Sequence, residues 1–341
     1  MQDAGAAISV RDLTRSFDRP GVPGAGWRRL LPGGTRGAPT VALHPVSFRV
    51  ERGERVALIG PNGAGKSTTI KLLTGILHPS GGDARVLGRV PWRERTDLAY
   101  DIATVFGQKS QLWYHLPARS TFELLRHVYD LDAGVARRRV GELTERLGLR
   151  DLLDRPVRTL SLGERMRCEL AAALIHSPRL VFLDEPTIGL DVEARQAVRA
   201  HVRELNARQG TTIFLTSHDA ADIEQVCERV IVMQAGRVAF DGPVSTLRSR
   251  YVRGRQIEAH FLVPVDRPVD LPPGASLVDV EPQRWRLEVH EAGAPVGPVV
   301  AWLMACGPVV DLTVSDPPME DVIAAIYRET AGPRVIPGGR P

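Results

Sequence analysis

Gly60-Pro61-Asn62-Gly63-Ala64-Gly65-Lys66-Ser67 is the stretch on which the fold turns. Two glycines separated by four residues, followed by lysine and a hydroxyl residue, fit the phosphate-binding loop pattern. Glycines let backbone N–H groups wrap phosphate oxygens, Lys66 brings a point charge to the β and γ positions, and Ser67 offers a hydroxyl to Mg²⁺. The pattern acquires this meaning between a strand and a helix, because a helix N-terminus favours negative charge. Both neighbours are present: residues 56–60 form a short apolar run, and residues 66–77 carry helical apolar spacing at Ile70, Leu73 and Leu77 before Pro79.

Working outward, residues 8–17 and 42–50 alternate as strands, separated by a Gly-, Pro- and Arg-rich insert over residues 18–40. Within the insert, Trp27-Arg28-Arg29-Leu30-Leu31 suits either a mobile surface hairpin or one amphipathic turn against a membrane or partner. Residues 109–178 read as largely helical, with Arg137-Arg138-Arg139 as a solvated face. Residues 180–183 and 211–215 are unbroken apolar or β-branched runs, as parallel strands covered on both faces require, and the helix between them, 193–209, ends at Gly210. Strands alternating with helices over residues 51–242 predict an α/β domain with a mostly parallel sheet. Beyond Thr246 the texture changes. Short strands at 256–263, 277–280, 285–289 and 309–314, with helices at 298–305 and 319–330, predict a small α+β accessory domain over residues 247–330, with a disordered tail at 331–341.

The 341 residues favour two domains over one, and 43% hydrophobic with 25% charged residues is an ordinary globular composition. A net charge of +4 is weak evidence for nucleic acid and suits an anionic membrane face equally well. No segment approaches the roughly 20 apolar residues of a spanning helix, nor does the beginning of the sequence carry an uninterrupted apolar signal core. The chain is therefore expected at the cytoplasmic face of the membrane as a peripheral protein. Cys168, Cys227 and Cys306 are odd in number and far apart, which points to reduced thiols.

Asp184-Glu185 follows an apolar strand, so both carboxylates emerge at the carboxyl edge of the sheet, where α/β proteins bind ligands. In that place Asp184 would hold Mg²⁺ and Glu185 would polarise an attacking water; elsewhere such a pair is as often a helix cap. His218 leaves the same edge and could reach a γ-phosphate, against the alternative of a structural histidine. Gln108 follows a further strand candidate, 102–106, and its amide suits both Mg²⁺ and a positioned water.

With Leu160-Ser161-Leu162-Gly163-Glu164 added, the sequence resembles the nucleotide-binding subunits of ATP-binding-cassette (ABC) transporters over residues 8–242. The family elements occur in order: Phe17 as the adenine-stacking aromatic, the phosphate loop from Gly60 to Thr68, Gln108, the signature at Ser161 to Glu164, Asp184-Glu185, the loop Gly189-Leu190-Asp191, and His218. The signature departs from the family at Leu162, where glycine is usual, and at Glu164, where glutamine is usual. Glu164 is expected to point away from the phosphate that the motif serves.

The resemblance implies a P-loop core with antiparallel N-terminal strands and a helical subdomain. It implies ATP and Mg²⁺ as ligands, with catalytic roles for Glu185, His218, Lys66 and Gln108 and metal contacts from Ser67, Gln108 and Asp184. A second ABC subunit, a homodimer rather than a heterodimer, would pair head to tail with Ser161 and Gly163 of one chain at the other's ATP. Integral membrane permease subunits would dock at Leu112, Trp113, Tyr114 and Leu116, a stretch that in one export-type branch follows Gln108; ordinary core is the competing reading of Trp113 and Tyr114. An importer ATPase shares the same chemistry. A soluble cassette acting on nucleic acid or ribosomes typically has two cassettes or a coiled-coil insertion, and this sequence has one phosphate loop and no sustained heptads, so no nucleic-acid partner is expected.

Overall fold

The computed structural model describes residues 5–18, 39–107, 110–217, 219–251, 254–268, 270–289 and 296–317, with residues 319, 322, 323 and 326. The insert's Trp27–Leu31 stretch, Gln108, His218 and the tail 331–341 lie outside them, as does most of the expected helix 319–330. The chain forms two compact units, divided between Gly242 and Pro243.

In the first unit, β1 (Ala6–Phe17), β2 (Thr40–Glu51) and β4 (Gly81–Val86) make an antiparallel sheet of order β2-β1-β4. A second sheet has the order β5-β6-β7-β3-β8-β9, from β3 (Arg55–Ile59), β5 (Ile102–Phe106), β6 (Leu180–Asp184), β7 (Thr212–Thr216), β8 (Arg229–Gln234) and β9 (Arg237–Pro243). Its β5/β6, β6/β7, β3/β7 and β3/β8 pairs are parallel. β6 and β7 are buried almost throughout, which is why their sequences run apolar without alternation. Ile8, Leu13 and Leu43 of the antiparallel sheet pack with Val56 and Leu58 of β3, Ile70 and Leu73, and Phe182 and Phe214 in one core.

Helices α1 (Lys66–Leu73), α2 (Arg95–Ala99), α3 (Ala118–Val128), α4 (Ala133–Leu147), α5 (Leu162–Leu174), α6 (Val192–Gln209) and α7 (Ala220–Val226) complete the unit. The first helix is shorter than its apolar spacing suggests: Gly75, at φ 71° and facing the Pro91 carbonyl, ends it, and Leu77 lies beyond. Residues 109–178 resolve into α3, α4 and α5. The solvated-face expectation fails at Arg139. Its guanidinium is buried, donating to the Leu174 carbonyl (3.3 Å) and Gln209 (3.2 Å), while Arg137 and Arg138 are exposed.

The second unit contains α8 (Val244–Tyr251), then an antiparallel sheet of order β11-β12-β10-β13 from β10 (Arg255–Phe261), β11 (Ala275–Glu281), β12 (Arg284–Val289) and β13 (Val309–Ser315). Alternation puts Ile257, Ala259 and Phe261 with Trp285, Leu287 and Val289 on one face, where Val299 and Leu303 of α9 (Val296–Cys306) cover them. Arg284, Arg286, Glu258 and Asp279 share the other face in ion pairs. Met319, Val322 and Ile326 are buried, at the spacing of one helix stripe. Among the described residues no helix is long and apolar enough to cross a membrane.

Candidate active site

The parallel register brings the carboxyl ends of three strands level: Phe106 pairs with Asp184, and Asp184 with Thr216. β3, beside β7, delivers the phosphate loop to the same edge. Gly65 sits at φ 104°, a conformation that side chains rarely adopt, and caps α1 without a side-chain acceptor. The first N–H groups of α1 are thereby left for an anion. A Cβ on Gly63 would meet nothing within 4 Å, so the loop opens outward there.

Lys66 is buried, and its ammonium donates to the Gly60 carbonyl at 2.6 Å, folded back on the loop. Burial pushes its pKa below the ordinary lysine value, while the carboxylates of Glu185 and Asp184 act in the opposite direction. Lys66 and the Asp184-Glu185 pair, which begins 118 positions further along the sequence, thus share one electrostatic site.

Asp184 accepts from the Thr216 hydroxyl at 2.6 Å. Glu185 occupies the left-handed region, φ 57°, which is uncommon for a side chain of its size. Its N–H donates to the Thr216 carbonyl (3.0 Å) and hydroxyl (3.1 Å). On the β5 side the Gly107 N–H donates to the Asp184 carbonyl at 2.8 Å, and a Cβ on Gly107 would stand 2.2 Å from the Glu185 carbonyl. Only glycine allows that approach.

Ser161 caps α5: its hydroxyl accepts from the Glu164 N–H (3.2 Å), and the Glu164 carboxylate accepts from the Ser161 N–H (2.7 Å). Glu164 thus lies back over its own helix and pairs with Arg155 at 3.1 Å; these contacts, the Ser161 N–H first, hold its pKa below the usual carboxylate range. Leu162 reaches Gly189, where an added Cβ would stand 2.9 Å from its Cδ2, and an added Cβ on Gly163 would stand 2.9 Å from Ala194 at the start of α6. Asp191 caps α6 by accepting from the Ala194 N–H at 2.8 Å.

Residues 43–188 match the family described as ABC transporter. The ABC transporter ATP-binding protein NatA of Bacillus subtilis (strain 168) is 32% identical over 206 residues, 60% of this chain and 83% of its own length. The chain belongs to the ABC transporter ATP-binding proteins. It is accordingly an ATPase of the cassette type. The daunorubicin resistance ATP-binding protein DrrA3 of Streptomyces coeruleorubidus is 39% identical over 208 residues, and this chain spans 61% of itself and 65% of that relative in the match. A solved ATP-binding subunit of an ABC transporter superposes with a TM-score of 0.60 at 28% identity, covering 72% of this chain and 93% of that one.

For an ABC cassette the remaining expected residues fall as follows. Phe17 is part-exposed at the end of β1 with the Arg15 guanidinium 4.5 Å from its ring centroid. Trp113, Tyr114 and Leu116 are 47%, 54% and 41% exposed, but Leu112 is only 4% exposed. Leu112 therefore belongs to the core and does not line a surface groove; position alone could not show which side of this irregular segment faces inward.

Several organising residues have no motif. Glu169 of α5 is buried and accepts from the Ser110 hydroxyl and from the Gln111 N–H at 3.1 and 3.0 Å, strapping that segment to the signature helix; burial nevertheless raises its pKa. Asp222 and Arg199 form a buried pair at 2.6 Å. The one sequence hint was an acid set among apolar neighbours, Cys168 and Leu170 for Glu169, where an amphipathic face would be polar.

Proposed function

We propose that this ABC subunit closes head to tail with a second copy around two MgATP and drives a separate membrane permease in the direction of export. The observation that carries the hydrolytic part is the convergence of Lys66, Asp184 and Glu185 at one sheet edge, with Asp184 pinned by Thr216. Oxygen donors at Ser67 and Asp184 suit Mg²⁺, which keeps few protein ligands and takes the rest from phosphates and water. Among the described residues no three-carboxylate or histidine cage exists, and such an ion needs none. Bound there, Mg²⁺ would neutralise charge on the β- and γ-phosphates.

The chain's own groups account for the remainder. The phosphate loop and α1 bind the phosphate tail through backbone N–H groups, and Lys66 exchanges its Gly60 carbonyl for phosphate oxygen. Glu185 takes the proton of the water that attacks the γ-phosphorus while the bond to the ADP oxygen breaks. His218 and Gln108 are assigned to that water and the γ-phosphate by resemblance, and Phe17 to the adenine. Ser161 and Gly163 of one copy would meet the other copy's γ-phosphate, with Asp191 beside them at the pairing surface. The exposed Trp113, Tyr114 and Leu116 suit a permease helix, because aromatic side chains concentrate interface energy. Export is supported by the daunorubicin-resistance relative. The second unit is assigned an accessory role.

Glu185→Gln tests this reading. It should keep MgATP bound, slow turnover by roughly 10²- to 10⁴-fold, and accumulate an ATP-dependent dimer on size exclusion. Turnover near that of the wild type would remove Glu185 as the base.

A further inference from the structure

Glu185 holds a left-handed backbone at φ 57°, an unfavourable conformation for a non-glycine residue that persists only where the surroundings impose it. On its N-terminal side the imposing group is Thr216, through the two bonds to the Glu185 N–H. The C-terminal side has a separate anchor. Thr187, two residues on and buried, donates its hydroxyl to Asp222 Oδ2 at 2.5 Å. Asp222 is 1% exposed, and the same oxygen accepts from the Ser217 hydroxyl at 2.6 Å. Ser217 directly follows Thr216.

The contacts therefore close a ring: Glu185 to Thr216, along the chain to Ser217, across to Asp222, across to Thr187, and back along the chain to Glu185. Asp222 Oδ1 accepts from Arg199 Nε at 2.6 Å, and Arg199 also pairs with Asp219 at 3.1 Å. Arg195, one turn earlier on α6, pairs with Asp219 at 3.1 Å and donates to the Leu190 carbonyl at 2.9 Å, beside Asp191. A buried carboxylate is tolerated only when its oxygens are satisfied, and Asp222 spends Oδ2 on Thr187 and Ser217, near neighbours of Glu185 and Thr216 in the chain, and Oδ1 on Arg199 of α6.

We infer that Asp222, acting through the Thr187 hydroxyl, is a positioning residue that holds Glu185 in its strained, base-competent conformation and links it to α6. The inference rests on the reading of Glu185 as general base. Neither Asp222 nor Thr187 touches the reacting atoms, so the ring acts on the placement of the carboxylate, not on nucleotide affinity.

Thr187→Val keeps the shape and deletes one hydrogen bond; Thr187→Ser keeps the hydroxyl. Steady-state ATPase assays on the full chain should show kcat reduced about tenfold or more in Thr187→Val with KM and ATP affinity unchanged, since small displacements of a catalytic group act on the chemical step. Thr187→Ser should restore kcat to within about threefold of the wild type. Asp222→Asn, which loses charge against Arg199 as well, should lower kcat further, with thermal unfolding recorded alongside. A purely structural role would lower melting and nucleotide binding together and would not separate Ser from Val. Wild-type kcat in Thr187→Val beside an inactive Glu185→Gln overturns the clamp and leaves the base assignment standing. A turnover-competent Glu185→Gln overturns the base assignment and the clamp with it.

Discussion

Leu112 and Trp113 are adjacent, similarly apolar and opposite in fate, so truncating each separates packing from docking. Leu112 is 4% exposed, and Leu112→Ala removes a fully buried side chain, a loss of about 2–5 kcal/mol. Trp113 is 47% exposed. A buried tryptophan truncated to alanine costs about 3–5 kcal/mol, so half burial brings Trp113→Ala to roughly 1.5–2.5 kcal/mol. The smaller residue should therefore be at least as costly as the larger. Urea unfolding followed by far-ultraviolet circular dichroism measures both without relying on Trp113 fluorescence, and equal m-values would license the comparison. Trp113→Ala should in turn weaken co-purification with the permease while leaving MgATP binding intact. A Trp113→Ala variant clearly less stable than Leu112→Ala would refute the assignment of Trp113 to an exposed surface.

Two other perturbations address charge. His201 is buried with neither ring nitrogen hydrogen-bonded to a described residue, and burial lowers its pKa to about 4, with Arg146 and Arg139 adding to the shift and Glu204 opposing it. Between pH 6.5 and 4 the unfolded chain binds a proton there that the native chain refuses. Stability should fall as pH drops through this window, by up to about 3 kcal/mol from this one group, and His201→Leu should flatten that part of a pH–stability profile. An unchanged profile would exclude His201 as a source of acid lability. Arg155→Ala should cost the fold only about 0.2–1 kcal/mol, because the pair with Glu164 is partly exposed. It should weaken ATP-dependent pairing about tenfold by leaving the Glu164 charge uncompensated, and adding Glu164→Gln should restore pairing; sedimentation of the singles and the double in a Glu185→Gln background decides it, failure of the double to recover being the refuting result.

The sequence by itself determined the α/β order, the phosphate loop, the Asp184-Glu185 pair and the signature cap, because each depends on near neighbours. Gly65 must adopt φ 104° for the chain to turn into α1, and Ser161 must lie three residues before Glu164 to share a capping box. Apolar runs at β6 and β7 report burial on both faces for the same local reason. Tertiary structure alone decided what depends on register and on which side of an irregular segment turns inward. Thr216 reaches Asp184 because β6 and β7 align in parallel, and Gly107 must lack a Cβ because β5 brings it against the Glu185 carbonyl. Leu112 went to the core while Trp113 stayed outside, and Arg139 was buried beside two exposed arginines. Asp222, Arg199 and Glu169 match no local pattern, since a polar side chain on a helix is ordinarily solvated. Their burial is set by partners at distant positions, 35 residues away for Thr187 and 58 for Gln111, and only the closed fold supplies those partners.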